Sequence, residues 1–141
     1  MLGSGLPDIV ADDEDLARFL TSSSQFNAQM AKPAAFLPSP SGRETSVFRH
    51  GSEPLETLWA IGDAYAAGNR ALHGAAIVKA RDVRAARLDV IADEPPPRHA
   101  AIRGWPWLDN DLEEQKERQK EQALLVVSKA VLLRRVARAP K

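Results

Sequence analysis

The stretch "PPPRHAAIRGWPW" (95–107) decides how the chain is read. Three prolines stiffen its start, and none can donate to a sheet ladder. Alternation begins after them: His99, Ala101, Arg103 and Trp105 are expected on one face of a strand at 99–104, with Ala100, Ile102 and Gly104 on the other. Such a strand needs neighbours, and the flanking sequence supplies them. "TSVFRH" (45–50) alternates in the same way, Val47 and Arg49 pointing one way and Ser46, Phe48 and His50 the other. Further strands are expected near 34–38, 75–79 and 88–92, with one or two helical turns over 81–87 between the last two.

Two longer segments read as helices. "GSEPLETLWAIGDAYAAGNR" (51–70) has Ser52 as N-cap, Pro54 in the first turn, and Gly68-Asn69 as a left-handed stop. Leu55, Leu58, Trp59, Gly62, Tyr65 and Ala66 form one face, on which Gly62 permits close backbone approach and Trp59 belongs to the core. The last helix is expected to start at Asn110, capped together with Glu113, and to run to the arginines near the C-terminus. Its first half, "EEQKERQKEQ" (113–122), lacks apolar residues and is expected to project into solvent. From Ala123 to Val136 it is apolar almost all round, so it must be enclosed by the sheet, another helix or another chain. A short helix is expected over "DDEDLARFL" (12–20), whose acidic start suits the helix dipole and whose Leu16, Phe19 and Leu20 share a face. "FLTSSSQF" (19–26) reads as a helix end and turn. The sum is an α+β fold: a small, mainly antiparallel sheet with the helix at 53–67 and a long C-terminal helix packed on the same face or at the edge. A flexible tail at 1–11 is expected to precede a single domain over 12–141.

Composition narrows the function classes. A chain of 141 residues with 44% hydrophobic and 27% charged side chains has a globular balance and enough length for a real core. It contains no cysteine, which removes disulfides, thiolate metal sites and cysteine nucleophiles. Its 19 basic and 19 acidic residues cancel, so no overall attraction to nucleic acid or acidic membranes is expected. The start "MLGSGLPDIVADDED" has no basic segment followed by an apolar core, and no apolar run approaches a membrane span. A cytoplasmic location is expected. The excess of arginine over lysine and the abundance of alanine suggest a bacterial, GC-rich coding bias.

The candidate binding residues are Arg49, His50, Arg98, His99, Arg103, Trp105 and Trp107. If the strands at 45–50 and 99–104 are antiparallel neighbours, Arg49-His50 and Arg98-His99 meet at one sheet end. Guanidinium, imidazole and indole groups together suit a carboxylate, a phosphate or a nucleotide. The bland alternative is that they pair with Asp89, Asp93 or Glu94 and only stabilise the fold. No nucleophile elbow, glycine-rich phosphate loop or metal-ligand spacing accompanies the three histidines, so no catalytic residue, metal or cofactor is assigned.

"AFLPSPSGRETSVFRH", "LWAIG" and "PPPRHAAIRGWP", taken in that order, resemble a group of small bacterial proteins of uncharacterised function, over roughly Phe19 to Trp107 and a following charged helix. The resemblance implies that the "SVFR" and "RHAAIRGWP" strands are recurring parts of one compact fold; it implies no activity. "SVFR" also resembles the first-strand end of ADP-ribosyltransferases, but the serine-rich strand and catalytic glutamate that should follow are missing. The reading reached from sequence is a non-catalytic binding or accessory protein. It would engage another protein, or a second copy of itself, through the Arg/His/Trp surface or the C-terminal helix. A small enzyme or binder for a phosphorylated or nucleotide-like ligand is the alternative, with His99 as acid/base and Arg49 and Arg103 clamping the anion. Nucleic-acid binding is a second alternative.

Overall fold

The structure is a computed structural model that describes residues 2–51, 53–66 and 71–135. Among them, six strands form one antiparallel sheet: β1 (Asp15–Leu20), β2 (Thr45–Arg49), β3 (Gly74–Lys79), β4 (Asp89–Ala92), β5 (His99–Arg103) and β6 (Val131–Arg134). Their order across the sheet is β4-β5-β2-β1-β3-β6. The helices are α1 (Leu55–Tyr65), α2 (Ala80–Ala85) and α3 (Leu112–Val127), with short 3-10 turns at Ser23–Gln25 and Pro33–Ala35. This is the expected α+β class with its long C-terminal helix.

The sheet is covered on both faces. On one, Leu16, Leu20, Val47, Val78, Val90, Ala100 and Ile102 meet Val83 of α2, Ala123 and Val126 of α3, and Phe36. On the other, Ala17, Phe19, Phe48 and Ala75 meet Leu58 of α1. The two long helices therefore lie on opposite faces, not together. Gly62 allows the close approach of α1: a Cβ there would stand 2.7 Å from Leu72 and 2.8 Å from the Phe19 ring. Leu58, Gly62 and Ala66 are buried, whereas Leu55 is exposed and Trp59 is half-buried at the edge of this cluster. Ser52 and Gly68-Asn69 lie outside the described residues, and the helix begins after Pro54 without a side-chain cap.

Several local expectations are corrected. Residues 15–20 are a strand, not a helix. Paired with β2 on one side and β3 on the other, β1 buries both of its faces, which produces the dense apolar pattern that mimics helical spacing. No strand forms at 34–38: Pro33 starts a 3-10 turn, and Phe36 enters the core from it. The serine run is a second 3-10 turn with a capping box between Ser22 and Gln25, following a strand. The last helix is capped by Asp111, which accepts from the Glu114 N–H, one residue later than expected. It stops at Val127, and Val131–Arg134 turns back as edge strand β6 against β3.

The polar half of α3 is not all solvent-facing. Gln115, Gln119 and Gln122 fall on the inward stripe: Gln115 accepts from the Leu108 N–H at 2.7 Å, Gln119 donates to the Pro106 carbonyl at 2.8 Å, and Gln122 donates to the Ala86 carbonyl at 2.9 Å. These amides satisfy loop backbone groups under the helix, as buried polar groups require. Ala123 and Val126 continue the stripe.

The lead-in is tied to the fold at several points. Val10 is buried in the larger core, Ser4 bonds Glu94, and the Pro7 and Ile9 carbonyls accept from Arg49. No helix among the described residues is long and apolar enough to cross a membrane.

Candidate functional site

β2 and β5 are antiparallel neighbours, with Phe48 opposite His99, and the Arg49 N–H donates to the Arg98 carbonyl at 2.8 Å. The two Arg-His pairs therefore do meet at one sheet end. Strand alternation then separates them. Arg49 lies on the α3 face and is completely buried; His99 and Arg103 lie on the α1 face.

Arg49 is an internal tie. Its Nε and Nη2 hold Glu14 at 2.7 and 2.8 Å, and Nη1 reaches the Pro7 carbonyl at 2.7 Å. Burial raises the Glu14 pKa, but the bonds from Arg49 and the Ala11 N–H, with the charges of Arg49 and Arg84, outweigh it and leave the carboxyl below its ordinary range. Arg98 adopts a left-handed backbone (φ 70°), and its guanidinium turns back to the Arg49 carbonyl at 3.1 Å and to the Glu53 carboxylate.

On the opposite face, the His99 ring packs edge-on against Phe48, with centroids 5.3 Å apart. Its Nδ1 is 2.8 Å from the Asp93 carbonyl oxygen and 3.5 Å from the Asp93 carboxylate. Arg103 donates to Glu44 at 2.8 Å and lies 3.9 Å from Asp93; the Glu44 bond is the main cause of its raised pKa. His99 and Arg103 thus share Asp93. Arg49, behind the sheet, cannot clamp the same anion with Arg103. His50 has a buried Nδ1 with no partner among the described residues.

The tryptophans divide. Gly104 adopts φ +94° and breaks the strand's alternation, so Trp105 crosses to the face of Ala100 and Ile102 and is buried there, away from His99 and Arg103. Its indole N–H is buried without an acceptor among the described residues. Trp107 is half-buried beneath Arg43, whose guanidinium carbon stands 4.8 Å from the ring centroid.

Sequence reading missed Arg18, because it placed that residue in a helix. The side chain donates to the Ala35 carbonyl at 2.7 Å, the Ser46 carbonyl at 3.0 Å and the Tyr65 hydroxyl at 3.1 Å. An arginine inside the apolar run 16–20 of β1 is the signal that could have found it.

Three concavities bear on binding. An apolar cleft of about 390 Å³ lies between α1 and the proline loop, lined by Phe48, Ile61, Tyr65, Pro96 and Pro97 among others; His99 is not among its lining residues. One flank of α3 (Arg118, Glu121, Gln122, Leu125) borders a cleft of about 550 Å³ against Arg87 and Gly104. The other flank, with Lys116, Gln119 and Lys120, borders a groove of about 520 Å³ against Lys32, Pro33, Ala34, Leu37 and Pro38. Leu125, at the edge of the cleft against Arg87 and Gly104, is 57% exposed, and Leu124, which lines neither that cleft nor the groove, is 56% exposed. The enclosure expected for the helix end is therefore not supplied by the described residues. No group of His, Asp and Glu among the described residues is arranged to hold a metal.

Compared with known proteins, the chain matches no family model, no curated protein and no solved structure.

Proposed function

We propose that this chain is a binding or accessory protein that engages another protein through α3. The observation that carries the reading is the exposure of Leu124 and Leu125 in adjacent positions at the end of a helix whose inward stripe is already satisfied by Gln119, Ala123 and Val126. Adjacent leucines on an outer helix face leave apolar area that a partner surface would remove from water, at roughly 25 cal/mol per Å². In the Arg/His/Trp cluster, by contrast, Arg49, Arg98 and Arg103 have their guanidiniums engaged by Glu14, Glu53 and Glu44.

The test compares the wild-type chain with the Leu124→Asp/Leu125→Asp variant, using affinity capture at low and high salt and light scattering for self-association. The expected result is a salt-tolerant stoichiometric complex, with a partner or a second copy, that the variant loses while keeping its circular-dichroism spectrum. A complex that the folded variant retains unchanged would exclude α3 as the binding helix. Nucleic acid recovered only at low salt would favour the nucleic-acid reading instead.

A further inference from the structure

The groove between α3 and the Pro33–Ala35 turn combines an apolar floor with cationic walls. Pro33, Ala34, Leu37 and Pro38 form one side, and the lining surface is mostly apolar. Three lysines border it: Lys32 before the turn, and Lys116 and Lys120 one turn apart on α3. Lys116, Lys120 and Leu124 follow i, i+4, i+8 spacing, so the cationic row leads along the helix towards the exposed leucine.

All three lysines are exposed, and none is held in an ion pair or side-chain hydrogen bond with another described residue. That separates them from the arginines, most of which have a carboxylate partner: Arg49 with Glu14, Arg84 with Asp12, Arg98 with Glu53, Arg103 with Glu44, and Arg118 with Glu114. Among the described residues, no carboxylate lines the groove. Asp111, Glu113, Glu114 and Glu117 lie round the helix, lining a separate shallow cleft that Lys116, alone of the three lysines, also borders.

From this charge pattern we propose that the groove takes an acidic peptide segment of a partner protein, with an apolar side chain seated on Leu37 and Pro38 and flanking carboxylates on Lys32, Lys116 and Lys120. It rests on the reading of α3 as the binding helix and names the chemistry of what binds there. Three lysines outside any ion pair among the described residues, set around apolar walls, attract carboxylates, raise the association rate and disfavour basic partners. The apolar floor adds a requirement that charge alone does not impose: a purely polar polyanion leaves the exposed Ala34 and Leu37 uncovered.

The test is panning of a random peptide library, displayed on phage, against the full chain. Wild type, Lys116→Glu/Lys120→Glu and Leu37→Ser are run in parallel, each first checked for an unchanged thermal midpoint. The expected outcome is enrichment of peptides rich in Asp and Glu around one or two apolar residues. Their recovery should fall at least about tenfold on the charge-reversed variant, and also on Leu37→Ser, which removes apolar surface without changing the charge. Peptides without acidic enrichment, recovery unaffected by charge reversal, or no enrichment at all would overturn the proposal. Acidic peptides that bind without an apolar anchor and ignore Leu37→Ser would overturn it too, showing unspecific charge attraction. The two readings fail separately. A complex lost on Leu124→Asp/Leu125→Asp with no acidic selection leaves the binding helix standing and removes the acidic partner. A complex indifferent to those leucines removes the helix reading even if acidic peptides select.

Discussion

Replacing Arg49 by Met should destabilise the protein by about 3 kcal/mol, near the lower end of the cost of removing one partner from a buried ion pair. The size follows from what the guanidinium holds. Arg49 has no exposed surface, and its removal strips two charge-assisted bonds from Glu14 and the donor from the Pro7 carbonyl. Glu14 retains the Ala11 N–H and is 19% exposed, so water recovers part of the loss and keeps the cost from rising further. Urea titration should show a midpoint lowered by about 1–3 M for an ordinary denaturant dependence. Residues 7–14 should lose amide protection first, since Arg49 ties them to β2. Glu14→Gln alone should also destabilise, because it leaves a buried guanidinium short of its counter-charge. The double variant should cost less than the sum of the singles by about 1–3 kcal/mol. The pH dependence has a fixed sign. The folded Glu14 pKa is depressed, so its stabilisation is complete above the unfolded value of about 4.3 and is lost as pH falls through the folded value. The acid limb of the stability curve should therefore be shallower in Arg49→Met than in wild type. A loss below about 1 kcal/mol, or strict additivity of the two singles, would refute the assignment of Arg49 as an internal tie.

Gly74→Ala should be worse than Gly62→Ala in thermal melts. At Gly74 the new Cβ would clash with the Leu133 carbonyl oxygen, and backbone must move, loosening β6 at an overpacking cost of about 3 kcal/mol. At Gly62 the Leu72 side chain can yield, and about 1 kcal/mol of helix propensity offsets the clash with Phe19. Trp105→Ala should cost about 3–5 kcal/mol in chemical denaturation as a core truncation. Trp105→Phe should cost less than about 2 kcal/mol, because it also removes a buried N–H that has no acceptor among the described residues; a larger loss in Trp105→Phe would refute an unsatisfied indole N–H.

The sequence by itself determined the elements whose pattern is local. β2, β3, β4 and β5 alternate or run between turn residues, and α1 and α2 follow helical spacing, so each was legible within a few residues of its observed limits. The adjacency of Arg49-His50 and Arg98-His99 was legible too, because two alternating strands carried the same motif at their ends. The pairing of His99 with Asp93 was among the alternatives their proximity suggested.

Tertiary structure decided the rest, for one physical reason: burial on two sides erases the period that distinguishes helix from strand. In β1, Leu16 and Leu20 serve one cluster while Ala17 and Phe19 serve the other, and only β2 and β3 make that arrangement a strand. At 131–134, an apolar run that reads as more helix becomes a strand because the edge of β3 offers backbone partners. Gly104 moved Trp105 across the sheet by breaking an alternation the sequence otherwise continued. The lysine groove was decided at this level as well, since Lys32 meets Lys116 and Lys120 only when α3 docks beside the Pro33–Ala35 turn on its row of glutamines.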